Sequence, residues 1–118
     1  MKKADGPWGE KQAARYLRRN HYRIAARNFR CRTGEIDIIA EKDGFLVFAE
    51  VKLRKNGEHG LPREFVTPYK QERVRSAAMQ YLLSHESEKQ PRFDVIEVYP
   101  KKNRLFLRAE IVHLEDAF

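Results

Sequence analysis

Three residues on two consecutive strand-like segments, Asp37, Glu50 and Lys52, have the types and spacing for hydrolytic chemistry. Asp43-Gly44 is a strong two-residue hairpin signal, and with it as the loop Lys42 lies opposite Phe45. That register sets Asp37 directly across from Glu50 and Glu35 across from Lys52. Opposed carboxylates on a strand pair have Cβ atoms about 4.5–5.5 Å apart, and like charges there destabilise the sheet. Something positive must sit between them. Lys52, two residues along the same face, is one candidate, and a divalent cation accepting hard oxygen ligands is the other. A surface hairpin closed by salt bridges satisfies the same pairing, but Ile39 and Phe48 share this face and argue for partial burial.

Glu10 is a second oddity, with two readings. It shares an i, i+3, i+4, i+7 stripe with Ala13, Ala14 and Leu17, where a buried, unpaired acid is costly. It is either an acid in the first helical turn, favourable to the helix dipole, or a third carboxylate aimed at Asp37 and Glu50. Lys70 falls on the inward stripe of a later helix with Val74, Ala77, Ala78 and Tyr81, either reaching a phosphate or snorkelling to water. Glu35 suits the support of Lys52 better than metal ligation. Trp8, Tyr16 and Phe29 read as packing residues, while Cys31 and His113 form no nucleophile constellation.

The elements that must position these groups follow from patterning. Gly6-Pro7 opens a helix that Asn20 or His21 closes. Tyr22 to Phe29 reads as an arginine-rich edge strand, followed by strands Gly34 to Glu41 and Phe45 to Arg54. The hairpin's second face collects Ile36, Ile38, Ala40, Phe45, Val47, Ala49, Val51 and Leu53, apolar except for Lys42 at the turn. Lys55 to Val66, with Asn56-Gly57, His59-Gly60 and Pro62, reads as a loop. Thr67-Pro68 is an N-cap and N1 proline for a helix to about Ser84. Strands Arg92 to Tyr99 and Arg104 to Ile111 complete the order α-β-β-β-α-β-β. The expected class is α/β, a central mixed sheet flanked by helices, in one domain over residues 1–118.

Composition narrows the setting. The 118 residues are 42% hydrophobic and 35% charged, which fits a folded chain with a core rather than disorder. No apolar run approaches the ~18 residues of a spanning helix, and the amino terminus lacks the apolar stretch of a secretory signal. A single cysteine, Cys31, excludes internal disulfides and all-cysteine zinc sites. The expected location is the cytoplasm. The formal net charge is +7. From Lys11 to Gly34 there are eight basic residues and no carboxylate, including Arg18, Arg19, Arg27 and Arg30. Such a block is either a solvated basic face or a surface for phosphate, whose oxygens match guanidinium forks.

Gly34-Glu35-Ile36-Asp37-Ile38-Ile39-Ala40 followed by Glu50-Val51-Lys52 resembles the D…ExK signature of the restriction-endonuclease-like superfamily. More closely, the chain resembles the YraN-like family of small bacterial proteins, predicted nucleases similar to archaeal Holliday-junction resolvases. The likeness covers nearly the whole chain, through Gly9-Glu10, Tyr16-Leu17, Arg27-Asn28, Lys70, Arg73, Tyr81-Leu82, Arg92-Phe93-Asp94-Val95 and Ala117-Phe118. The resemblance implies a restriction-endonuclease-like fold and Asp37 and Glu50 as ligands of Mg²⁺ or Mn²⁺, with the Val51 carbonyl adding an oxygen. It also implies Lys52 as the residue that orients or deprotonates water, and Glu10 as an outer ligand or base. Arg18, Arg19, Arg27, Arg30, Lys70 and Arg73 are the expected nucleic-acid contacts.

The implied reaction is phosphodiester hydrolysis on DNA, branched or flapped. The alternatives are a non-catalytic nucleic-acid-binding module that keeps the fold, or an interaction subunit whose basic face meets an acidic partner. A chain of this length is expected to span roughly 30 Å, less than one duplex turn of about 34–36 Å. Paired incisions would then need a homodimer, for which the edge strand with Leu105 and Leu107 offers an interface.

Overall fold

The computed structural model describes residues 6–54, 66–102 and 105–118. In chain order the elements are α1 (Gly6–Arg19), β1 (Arg23–Cys31), β2 (Gly34–Lys42), β3 (Phe45–Leu53), α2 (Pro68–Ser84), β4 (Gln90–Lys102) and β5 (Leu107–Leu114). The strands form one mixed sheet in the order β1-β2-β3-β4-β5. Only the β3–β4 pair is parallel, and α2 supplies the helix-length crossover that a parallel pair requires. The α/β class and the element order agree with the sequence expectation.

Local chemistry sets the element ends. Positive φ at His21 (69°) ends α1, and Asp43 (54°) makes the turn between β2 and β3. Thr67 caps α2, its hydroxyl accepting the Lys70 N–H at 3.1 Å, with Pro68 in the first turn. The last strands differ from expectation: β4 extends to Gln90–Lys102, and β5 runs Leu107–Leu114 rather than from Arg104 to Ile111. Pairing decides this, because β5 is in register with β4 from Lys102–Leu107 back to Val95–Leu114. Arg104 and the expected loop residues 55–65, His59 among them, lie outside the described residues.

Alternation along β2 and β3 divides the core in two. Ile38, Ala40, Val47 and Ala49 pack against Ala13, Ala14 and Leu17 of α1. Ile39, Leu46 and Phe48 pack against Val74, Ala77, Ala78 and Tyr81 of α2. The helices therefore cover opposite faces of the sheet. Trp8 and Tyr16 pack at the edge of the first cluster and Phe29 at the edge of the second, as expected. Ile36 is a correction. It lies under α2 with Ile39 rather than under α1 with Ile38. Left-handed Asn28 (φ 52°) sits on β1 between the pairs Arg27–Ile38 and Phe29–Ile36, beside the point where β2 departs from simple alternation.

Gly34 is required by close approach. A Cβ there would stand 1.9 Å from the Arg73 carbonyl oxygen, so α2 rests directly on the start of β2. That contact fixes the height of Lys70 over the hairpin. The radius of gyration is 14.2 Å, and the longest dimension is 47 Å, longer than the 30 Å span expected from chain length.

Candidate active site

The β2–β3 register is the expected one from Lys42–Phe45 to Ile38–Ala49, where the ladder ends, so the expected direct pairs Asp37–Glu50 and Glu35–Lys52 are not part of it. Beyond it the carboxylate of Asp37 enters the strand pair: the Val51 N–H donates to Asp37 Oδ2 at 2.9 Å. A side chain thus accepts a main-chain donor of the neighbouring strand, and Asp37 is held beside Glu50.

Glu50 is the central oddity. It follows Leu46 and Phe48 on the α2 face of β3 and is only 2% exposed. Its Oε1 lies 3.4 Å from Lys70 Nζ, whereas its Oε2 is buried with no hydrogen-bond partner among the described residues. Burial first, and the Asp37 charge second, push its pKa up to about 7 against the opposing pull of Lys70 and Lys52. Lys52, one alternation further along β3, has its pKa lowered, chiefly by burial and also by the Lys70 and Arg54 charges, while Glu50 and Asp37 pull it upward. Two carboxylates and two lysines converge on one partly dry pocket of the α2 face.

Glu35 departs from its expected role. Its carboxylate lies 3.4 Å from Arg30 and 3.8 Å from Lys70, and so belongs to the cations of β1 and α2 rather than to Lys52. Lys70 bridges Glu35 and Glu50. Glu10 is buried, at 4% exposure, in the α1 stripe. The neighbouring Gly9 approaches Leu53, with a Cβ at position 9 falling 3.5 Å from Leu53 Cδ1, so this part of α1 overlies the Lys52 end of β3 from the other face. Among the described residues, no three His, Cys, Asp or Glu side chains form a shared metal-ligating group.

The basic residues divide between the two faces. Lys70 contacts Glu50, Arg30 contacts Glu35, and Arg73 lies over the Tyr69 ring at 5.8 Å. Arg18 and Arg19 close α1 on the opposite face, and Arg27 pairs with Ile38 in the sheet.

Two buried networks were not visible in the sequence. Beyond Lys52, Arg54 Nε donates to Glu97 Oε2 at 3.0 Å with both side chains buried, and Tyr99 donates to the other Glu97 oxygen at 3.2 Å. The parallel register that sets Lys52 beside Glu97 creates this contact. On the α1 face, Asp94 accepts two bonds from Arg92, one from the Asp116 N–H, and pairs with His113 Nε2 at 2.7 Å. His113 Nδ1 in turn meets the Tyr16 hydroxyl at 2.9 Å. This chain ties α1 and β5 to β4. An aspartate inside an apolar strand was its only sequence signal.

The Glu50 shift makes a stability prediction for the metal-free protein. An acid whose folded pKa is raised binds its proton more tightly when folded, so stability falls as pH rises from about 4.5 to about 7. The loss is roughly 3 kcal/mol. Thermal melts in chelator across that range should show the fall, and Glu50→Gln should flatten it and melt higher at pH 8. An unchanged pH profile in the variant would show that Glu50 is not the group responsible.

No helix among the described residues is long and apolar enough to cross a membrane. Residues 9–98 match the family model described as uncharacterised protein family UPF0102. A UPF0102 protein of Lachnoclostridium phytofermentans is 47% identical over 110 residues, covering 92% of this chain and 93% of the relative. Another, from Caldanaerobacter subterraneus subsp. tengcongensis, is 43% identical over 118 residues, covering 99% and 96%. A third, from Symbiobacterium thermophilum, is 50% identical over 101 residues, covering 85% and 86%. With the motif strands, α2 and most of α1 inside the matched span, the chain belongs to the UPF0102 family.

Proposed function

We propose that this protein is a metal-dependent endonuclease that hydrolyses phosphodiester bonds in DNA, with branched or flapped DNA as its substrate class and the cytoplasm as its place of action. The observation that carries this reading is the buried, unpartnered Oε2 of Glu50 beside the Asp37 carboxylate. A protein that only binds has no use for a dry acidic pair that weakens its own sheet. The donor set fits a hard cation: Asp37, Glu50 and the Val51 carbonyl would hold Mg²⁺ or Mn²⁺. Bound there, the ion would supply Lewis-acid charge to a phosphate.

The chain's own groups do the rest. Lys52 acts on the attacking water, taking its proton in the neutral form that burial favours or, when charged, stabilising the phosphorane oxygens. Lys70, freed from Glu50 once that carboxylate has another counter-charge, offers its ammonium to a phosphate oxygen. Asp37 is oriented by the Val51 N–H, so it needs no rearrangement to act. The Arg54–Glu97 pair keeps the neighbouring strand ends fixed.

End-labelled linear, flapped and four-way DNA should be cut with Mn²⁺ or Mg²⁺ and left whole with chelator. Binding without cleavage of any of these under either metal would overturn the catalytic reading in favour of a non-catalytic binding module.

A further inference from the structure

The two faces of the sheet carry different charges, and the face away from the acidic pair has its own groove. Between α1 and β5 lies an opening of about 480 Å³ whose lining includes Trp8, Lys11, Arg15, Arg19 and Arg108 and no carboxylate. Lys11, Arg15 and Arg19 stand at i, i+4 and i+8, one row of cations spaced about 6 Å apart along the helix. Like charges at that spacing repel one another and weaken the helix. No acidic side chain pairs with any of the three among the described residues, although this chain pairs Arg23, Arg30, Arg54, Arg92 and Lys101 elsewhere. Arg108 arrives from the far end of the sequence and closes the row from the β5 side. The apolar side of α1 is already used in the core, so the row is presented outward by construction.

A repelling row of guanidinium and ammonium groups with an indole at one end suits a run of phosphodiesters with an exposed base or sugar against Trp8. We propose that the α1–β5 groove binds a second segment of nucleic-acid backbone, distinct from the segment at the Asp37–Glu50 site on the opposite face. A straight duplex lies along one face, so engaging both grooves requires a nucleic acid with two arms or a sharp bend. The substrate class that follows is branched nucleic acid. This specificity argument rests on the nuclease reading above, whereas the groove's binding does not.

Binding is measured in chelator, so that catalysis plays no part. Fluorescent four-way DNA and a linear duplex of equal length are titrated between 50 and 200 mM salt against wild type, Lys11→Gln/Arg15→Gln/Arg19→Gln, Arg108→Gln, and a control with Lys42, Arg75 and Lys89, none of which lines the groove, changed to glutamine. The expected log–log salt slope on four-way DNA flattens by roughly two to three units in the triple variant and by about one in Arg108→Gln. The control keeps the wild-type slope. Junction affinity of the triple variant should fall to that for linear duplex. All changed side chains are on the surface, and thermal melts check that the variants fold. Wild-type slope and junction preference in the triple variant would overturn the proposal. So would polyglutamate competing as strongly as DNA at equal charge, which would make the groove a site for acidic polypeptide. Failure of metal-dependent cleavage with these slopes intact would sink the nuclease reading alone.

Discussion

Asp37→Ala and Lys52→Ala should each lower metal-dependent cleavage by about 10²–10⁴-fold while leaving DNA binding in chelator nearly unchanged. Asp37 touches the Val51 N–H and raises the Glu50 pKa, so it is built into the pocket rather than attached to it. Its removal takes away one carboxylate of an oxygen donor pair and frees a strand N–H. Lys52 separates two roles. With its pKa lowered by burial, a basic role predicts a rate that rises with pH until the amine is neutral, at a pH below that of an ordinary lysine. Lys52→Arg keeps the charge but cannot give up its proton, so it should be as inactive as alanine if Lys52 is the base. Substantial activity in Lys52→Arg would assign the residue to charge stabilisation instead. Equal cleavage by wild type and both alanine variants would place the hydrolysis outside this site.

Asp37→Asn carries a companion result for stability. Neutralising Asp37 relieves the repulsion that raises the Glu50 pKa, so metal-free protein should melt higher as Asn than as wild type near neutral pH. Catalysis and metal-free stability thus move in opposite directions at one position, as expected where a fold tolerates like-charge repulsion for function.

Asp94→Ala should cost about 3–5 kcal/mol, the largest stability loss expected from a single substitution in this chain. The aspartate is fully buried and holds Arg92 through two bonds, His113 at 2.7 Å and the Asp116 N–H at 3.0 Å. Its removal leaves a largely buried guanidinium with only Glu115 and the Tyr22 hydroxyl as polar partners among the described residues and breaks the path from Tyr16 to β4. Burial raises the Asp94 pKa, but His113, Arg92 and the Asp116 N–H outweigh it, and the carboxyl is held below its ordinary range. A depressed folded pKa gives stability that is complete above the unfolded value, near 3.8, and is lost as pH falls through the folded one. Urea titrations at pH 7 and along an acid series measure both effects. A loss under 1 kcal/mol at pH 7 would show that the network is replaceable by water.

Much of this protein was legible in its sequence because the signals were local. Asp43-Gly44 set the hairpin register, and Thr67-Pro68 set the start of α2. Alternation along β2 and β3 distinguished the α1 face from the α2 face, apart from Ile36 near left-handed Asn28. The motif residues Asp37, Glu50 and Lys52 could be named from residue type and spacing before any geometry was known. The UPF0102 family was recognisable on the same residues.

Other features depended on elements brought together from distant parts of the chain. Whether Glu35 serves Lys52 or Lys70 is decided by the height of α2, which Gly34 sets by letting the Arg73 backbone come close. The pairing of Arg54 with Glu97 depends on a parallel register that no local pattern encodes, since α2 and the segment before it intervene. Tyr16 is separated from Asp94 and His113 by most of the sequence, and each alone reads as unremarkable. The basic block was visible as charge, but only the tertiary structure divided it, setting Arg30 near the acids and Lys11, Arg15 and Arg19 across the sheet with Arg108. Residue type and short-range spacing determine which groups can react or bind. Long-range pairing and helix height decide which of them meet, because those contacts depend on burial and register summed over the whole sheet.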